Sequence, residues 1–126
     1  MSVDDLLARA RQSLDRVDPA EAAREVENGA VLIDIRSDAQ RAEDGVVPQA
    51  VYIPRNVLEW RCDPECDHRD PRVSDPVRRV IVMCDAGYQS SLAAATLKEL
   101  GLEQATDLDG GFRAWRDAGL PVEPAR

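Results

Sequence analysis

The sequence predicts an α/β domain whose mostly parallel sheet is flanked by helices on both faces. Two observations carry this. The uncharged apolar runs Ala30-Val31-Leu32-Ile33 and Val80-Ile81-Val82-Met83 have the pattern of short strands buried on both faces. Each is followed by helix-capping signals or helical periodicity, so strands alternate with helices, the order that produces a parallel sheet. At 126 residues the chain suffices for one domain and not two.

Residues 3–16 predict an amphipathic helix with Leu6, Leu7, Ala10 and Leu14 on one side. The alternation starts only after it. Residues 1–17 therefore read as an N-terminal helical extension and 18–126 as the domain. Asp18 is an N-cap, Pro19 the first residue of a second helix and Gly29 its terminator. Ala30 to Ile35 form a strand. Ser37 caps a short helix through Asp44, stopped by Gly45. Val51 to Ile53 are a brief strand, and residues 56–61 make a turn or two of helix. Residues 62–76, interrupted by Pro64, Pro71 and Pro76, are loop. After the strand Val80–Met83, Leu92, Ala93, Thr96, Leu97 and Leu100 recur at helical spacing, with Gly101 as a stop. Ala105 to Leu108 form a last strand. Asp109-Gly110-Gly111 turns into a final helix, Phe112 to Ala118, closed by Gly119. Phe112, Trp115 and Leu120 belong to the core.

A formal net charge of −8 argues against nucleic acid and anionic membrane surfaces as partners. No apolar run approaches the length of a membrane span, and the N-terminus lacks the basic-then-apolar order of a signal peptide. The chain reads as cytoplasmic. Three cysteines, an odd count, fit reduced thiols better than a disulfide framework.

Chemistry concentrates at Cys84, where a buried strand ends and a helix is about to begin. In open α/β sheets that edge is where ligands bind. A run of N–H groups backed by a helix N-terminus attracts anions and stabilises a thiolate, so Cys84 reads as a nucleophile. Tyr88, inside the loop, forms a wall of the pocket. Asp34 is structural, accepting hydrogen bonds from backbone near the end of its strand. Cys62, Cys66 and His68 do not make a metal site: the C-x3-C spacing is loose, a second ligand pair is missing, and Pro64 and acids intervene. They read as groups on a variable loop, where either thiol could resolve an oxidised Cys84.

Four segments, in order and spacing, resemble a rhodanese-like domain: V-L-I-D-I-R at 31–36, G-V-V-P-Q-A-V-Y-I-P at 45–54, C-D-A-G-Y-Q-S-S at 84–91 and D-L-D-G-G-F-R-A-W-R-D-A-G-L-P-V at 107–122. The resemblance implies a five-stranded parallel sheet and an active-site loop of Cys84, Asp85, Ala86, Gly87, Tyr88 and Gln89, followed by Ser90. It implies a sulfurtransferase: Cys84 takes sulfane sulfur from a donor, becomes a persulfide and passes the sulfur to a thiol or other nucleophilic acceptor, with no cofactor. By the resemblance Arg36 is expected at the mouth of the site as a donor-binding group, or else in a salt bridge that pins the neighbouring loop. Arg61, from its charge, is either a source of positive charge for the loop or a solvated side chain beside Trp60. The competing function is a rhodanese-like interaction or redox-sensing module with little turnover.

The loop departs from the family pattern. Gln89 stands where Arg is frequent, Asp85 is the loop's only charge, and G-V-V-P-Q-A lacks a His at Val46 and a Gly at Gln49. These departures predict weak turnover with dianionic thiosulfate and better uptake from a less charged persulfide. Phosphatase or arsenate-reductase chemistry, which related folds perform with a longer loop ending in Arg, ranks last.

Overall fold

The computed structural model describes residues 1–125. Its elements are α1 (Val3–Arg11), α2 (Pro19–Glu27), β1 (Val31–Asp34), α3 (Asp38–Asp44), β2 (Val51–Tyr52), a 3-10 turn (Arg55–Val57), α4 (Leu58–Cys62), β3 (Val80–Met83), α5 (Gln89–Glu99), β4 (Ala105–Asp107) and α6 (Gly111–Asp117). The cap signals act as expected. The Asp18 carboxylate accepts from Glu21 N–H at the start of α2, and Ser37 and Gln40 make a reciprocal capping box on α3.

The sheet has four parallel strands in the order β2-β1-β3-β4, one fewer than the resemblance implies. The missing edge strand survives as a single residue. Val17 makes an isolated parallel bridge to Leu108, donating to Asp107 O at 3.2 Å and accepting from Asp109 N–H at 2.8 Å. Asp18 then caps α2 and Pro19 enters it, which ends the pairing.

Every residue of β1 and β3 is buried, and alternation along them divides the core into two. Val31, Ile33, Val80 and Val82 face Ala93 and Leu97 of α5, with Leu58 and Cys62 of α4. Leu32, Ile81 and Met83 face Ala22 of α2 and Phe112 and Trp115 of α6. Each fully buried Leu, Ile or Phe is worth roughly 1.5–3 kcal/mol relative to exposure. The strands end at the loops that build the site because this two-sided packing holds them there.

α1 is shorter than the predicted 3–16, ending at Arg11, and it packs on α5. Leu6 stays exposed, while Leu14, beyond the helix end, packs on the α5 side of the core. Val46, the position lacking the family's His, pairs with Glu123 in an antiparallel bridge. Among the described residues no helix is long and apolar enough to cross a membrane.

Candidate active site

Cys84 is the first residue after β3 and is 7% exposed. Its Sγ accepts from the N–H of Gly87 at 3.2 Å and of Ser90 at 3.4 Å. Helix α5 has no side-chain cap at Tyr88, so the sulfur supplies an acceptor for the first-turn N–H of Ser90. The positive end of the helix dipole faces the same atom. Both effects grow when the sulfur carries charge.

The loop's carbonyls are engaged on its outer side. Cys84 O accepts from Phe112 N–H at 2.8 Å and Asp85 O from Arg113 N–H at 3.1 Å, both in the first turn of α6. Gly87 O accepts from Arg11 Nη2 at 2.8 Å and Arg16 Nη2 at 2.9 Å. The peptides of the loop are trans, so a carbonyl held outward turns the N–H of the same unit inward. The N–H groups of these units, Asp85, Ala86 and Tyr88, thereby join on the inner side of the loop the two that bond the sulfur, Gly87 and Ser90, as a nest. Gly111 permits this: a Cβ there would lie 2.6 Å from Cys84 O and 2.8 Å from the Asp85 carbonyl carbon. Gly87, at φ +87°, has the left-handed conformation that bends the loop.

Asp107, at the end of β4, is fully buried and ties the start of α5 in place. Its Oδ2 accepts from the hydroxyls of Ser90 at 2.7 Å and Ser91 at 2.8 Å, and Arg16 grips both its oxygens at 2.9 and 3.2 Å. Ser90 thus serves the site twice, its N–H on the sulfur and its hydroxyl on the buried carboxylate.

Cys84 opens into a cavity of about 690 Å³. The loop residues Asp85, Ala86, Tyr88 and Gln89 form one side; Ser37, Asp38, Tyr52 and Arg55 contribute to the other. Tyr88 is 64% exposed at the rim. Of the cavity's charges, Asp85 pairs with Arg113 at 2.8 Å, Arg36 with Asp34 at 2.9 Å and Arg55 with Glu59 at 2.8 Å, while Asp38 accepts from Tyr52 OH at 2.9 Å. Burial of the Tyr52 phenol and its bond to Asp38 raise its pKa above the ordinary value.

A family model of the rhodanese-like domain matches residues 18–118, the span that contains the sheet, the Cys84 loop and α6. The chain belongs to the rhodanese-like domain family. It is 33% identical over 115 residues to thiosulfate sulfurtransferase GlpE of Actinobacillus pleuropneumoniae, covering 90% of this chain and 97% of that one. A sulfurtransferase of Allochromatium vinosum is 32% identical over 92 residues, 73% of this chain and 77% of its own. Among solved structures, a Rhodopseudomonas palustris protein of unknown function, described as a possible tyrosine phosphatase, superposes with a TM-score of 0.89 at 30% identity. That match covers 98% of this chain and 95% of the other.

Within this rhodanese-like domain, the two arginines expected to bind the donor are placed differently: Arg36 lines the cavity with its charge taken up by Asp34, and Arg61 lies outside it. Arg36 is 2% exposed; it grips both oxygens of Asp34, at 3.1 and 2.9 Å, donates to Gly45 O at 2.8 Å and stacks 3.8 Å from the Phe112 ring centroid. Its Nη1 is buried without a protein partner, so the guanidinium offers a donor no solvent-facing N–H. Asp34 accepts from Arg36 N–H, a structural role. Arg61 lies outside the cavity wall and donates to His68 O at 3.1 Å, bracing the 62–76 loop. Nor is Asp85 an uncompensated charge, because Arg113 reaches it from α6.

The other thiols have different surroundings. Cys62 is fully buried in the core, not exposed on the loop; burial, then the charges of Glu59 and Asp70, push its pKa up to about 12. Cys66 is half-buried, and its sulfur accepts from His68 N–H at 3.3 Å. Sequence reading missed Arg11, Arg16, Asp107 and Arg113. All four act across the chain, where no local pattern marks them.

Proposed function

We propose that this rhodanese-like domain is a sulfurtransferase that carries the transferred sulfur on Cys84. One observation supports it most: Cys84 Sγ lies at the mouth of a cavity with two N–H groups on it and the loop's carbonyls tied outside. Such a nest stabilises both anions of the reaction, thiolate and persulfide. In the first step the Cys84 thiolate attacks the sulfane sulfur. An S–S bond forms, and the donor's bond to that sulfur breaks, its remainder leaving with the electron pair as sulfite or thiolate. In the second step a nucleophilic acceptor attacks the outer sulfur, the new S–S bond breaks, and the Cys84 thiolate returns. Neither step needs an external oxidant or reductant.

The donor is proposed from the cavity. Its volume, about 690 Å³, falls in the range that encloses drug-sized ligands and far exceeds what thiosulfate fills. Among the described residues no unpaired cation lines it, since Arg36 and Arg55 are both matched by carboxylates. A sulfur carried on a small organic thiol fits this better than a dianion does. The relatives named as thiosulfate sulfurtransferases make thiosulfate the natural comparison. Phosphoryl transfer fits poorly, because Gln89 gives the loop no guanidinium for a tetrahedral oxyanion.

The test is steady-state transfer to cyanide from thiosulfate and from glutathione persulfide. The persulfide should give kcat/KM about tenfold or more above thiosulfate, a difference of about 1.4 kcal/mol. Gln89→Arg should narrow the gap and Asp85→Asn change it less, because Arg113 already offsets that charge. Cys84→Ser should be inactive with both donors. Efficient thiosulfate turnover unchanged by Gln89→Arg would reject the donor assignment, and an active Cys84→Ser would reject the mechanism.

A further inference from the structure

We propose that Arg11 and Arg16, which precede the residues matched by the family, are positioning residues that clamp the Cys84 loop and supply the cation its own sequence lacks. The proposal rests on Cys84 being the sulfur carrier.

Both guanidiniums converge on one acceptor. Gly87 O receives Arg11 Nη2 at 2.8 Å and Arg16 Nη2 at 2.9 Å. Gly87 is the loop residue with the least conformational restraint, so the peptide unit after it flips at little cost unless something holds it. Flipped, it would aim a carbonyl dipole at an anionic sulfur. Held as it is, its carbonyl faces outward and the Tyr88 N–H faces the inner side of the loop. The Cys84 and Asp85 carbonyls are anchored by N–H groups of α6 instead; the start of α6 packs against Gly87 but does not bond its carbonyl, which the arginines hold.

The two arginines divide the work. Arg16 is matched by acids, with Asp107 at 2.9 Å and Asp109 at 3.2 Å, and fixes the geometry. Arg11 has no carboxylate within ion-pair distance among the described residues. Its other contacts are Ser91 Oγ at 3.0 Å and the Tyr88 ring, 5.9 Å from its centroid. It brings an uncompensated positive charge to the loop from behind, where Gln89 brings none. The burial of Arg16 opposes its charge. The bonds and charges of Asp107, Asp109 and Cys84 outweigh that and raise its pKa.

The experiment follows iodoacetamide labelling of Cys84 against pH, together with sulfur transfer from glutathione persulfide, in wild type, Arg11→Ala and Arg11→Lys. Arg11→Ala should shift the labelling curve to higher pH and cut the rate near pH 6.5 by about three- to tenfold, the size expected for losing one partly screened charge. Its kcat should fall more than its KM rises. Arg11→Lys should recover most of the low-pH labelling, since it restores the charge. A lower melting temperature in Arg11→Ala with an unshifted curve would assign Arg11 a purely structural role and overturn the proposal. So would a wild-type curve and wild-type turnover in that variant. In either case, sulfur uptake by wild-type Cys84 would leave the sulfurtransferase reading intact; failure of wild type to take up sulfur from any donor would overturn that reading instead.

Discussion

Two cysteines of this chain are buried, and they differ in what surrounds the sulfur. Cys84 accepts two backbone N–H groups and opens into a cavity. Cys62 packs among aliphatic side chains near Glu59 and Asp70, which hold it as a neutral thiol with a pKa pushed up to about 12. The consequence for stability has a definite sign. Below pH 9.0, the ordinary value, the thiol is neutral folded and unfolded, and its burial contributes fully. Above it the unfolded thiol ionises while the buried one does not. Stability is therefore lost as pH rises from 9 toward about 12, by up to about 1.4 kcal/mol per pH unit. Urea unfolding at stepped pH should show wild type losing more stability than Cys62→Ala between pH 9 and about 11. Parallel losses in the two proteins would contradict the assigned burial. Native Cys62 should also resist alkylation, which leaves it no ready part in resolving an oxidised Cys84.

At the scale of elements, the Cys84 loop is held by three neighbours: α6 through the carbonyls of Cys84 and Asp85, the α1 segment through Gly87, and β4 through Asp107. The closest approach is at Gly111, whose φ of +62° and 2.6 Å clearance to Cys84 O leave no room for a side chain. Gly111→Ala should push α6 off the loop, lowering stability by about 1–3 kcal/mol in urea unfolding and abolishing most sulfur transfer. A variant that keeps wild-type turnover would show that α6 does not shape the nest. How much of this was legible in sequence follows from the range of each interaction. The buried runs of β1 and β3, the Ser37 cap and the Asp18-Pro19 start are local signals, and they held. The end of α1 did not. Once Arg11 turns its side chain to Gly87 and Ser91, the remaining residues to Val17 run as turn and bridge rather than helix. The five expected strands became four because Val17 has one pairing residue before Asp18 must cap α2.

For the whole molecule, a net charge of −8 misleads about the site. Cations gather round the Cys84 loop, which carries none of its own: Arg11 and Arg16 behind it, Arg113 on Asp85, and Arg55 across the cavity. Composition reports the sum of charges and is silent on where the fold puts them. Partners separated by 71 and 76 residues leave no trace in local pattern. Arg36 shows the converse: its position after β1 suggests the site mouth, but the side chain folds back onto Asp34 and Phe112. The central claim is that Cys84 alone carries the sulfur. It is tested most directly by a single turnover of the wild-type protein with a persulfide donor, followed by peptide mapping by mass spectrometry without reductant. One added sulfur should appear on the Cys84 peptide, none on the peptides of Cys62 and Cys66, and it should vanish when cyanide is added. Sulfur on Cys66, or turnover that leaves Cys84 unmodified, would contradict the account.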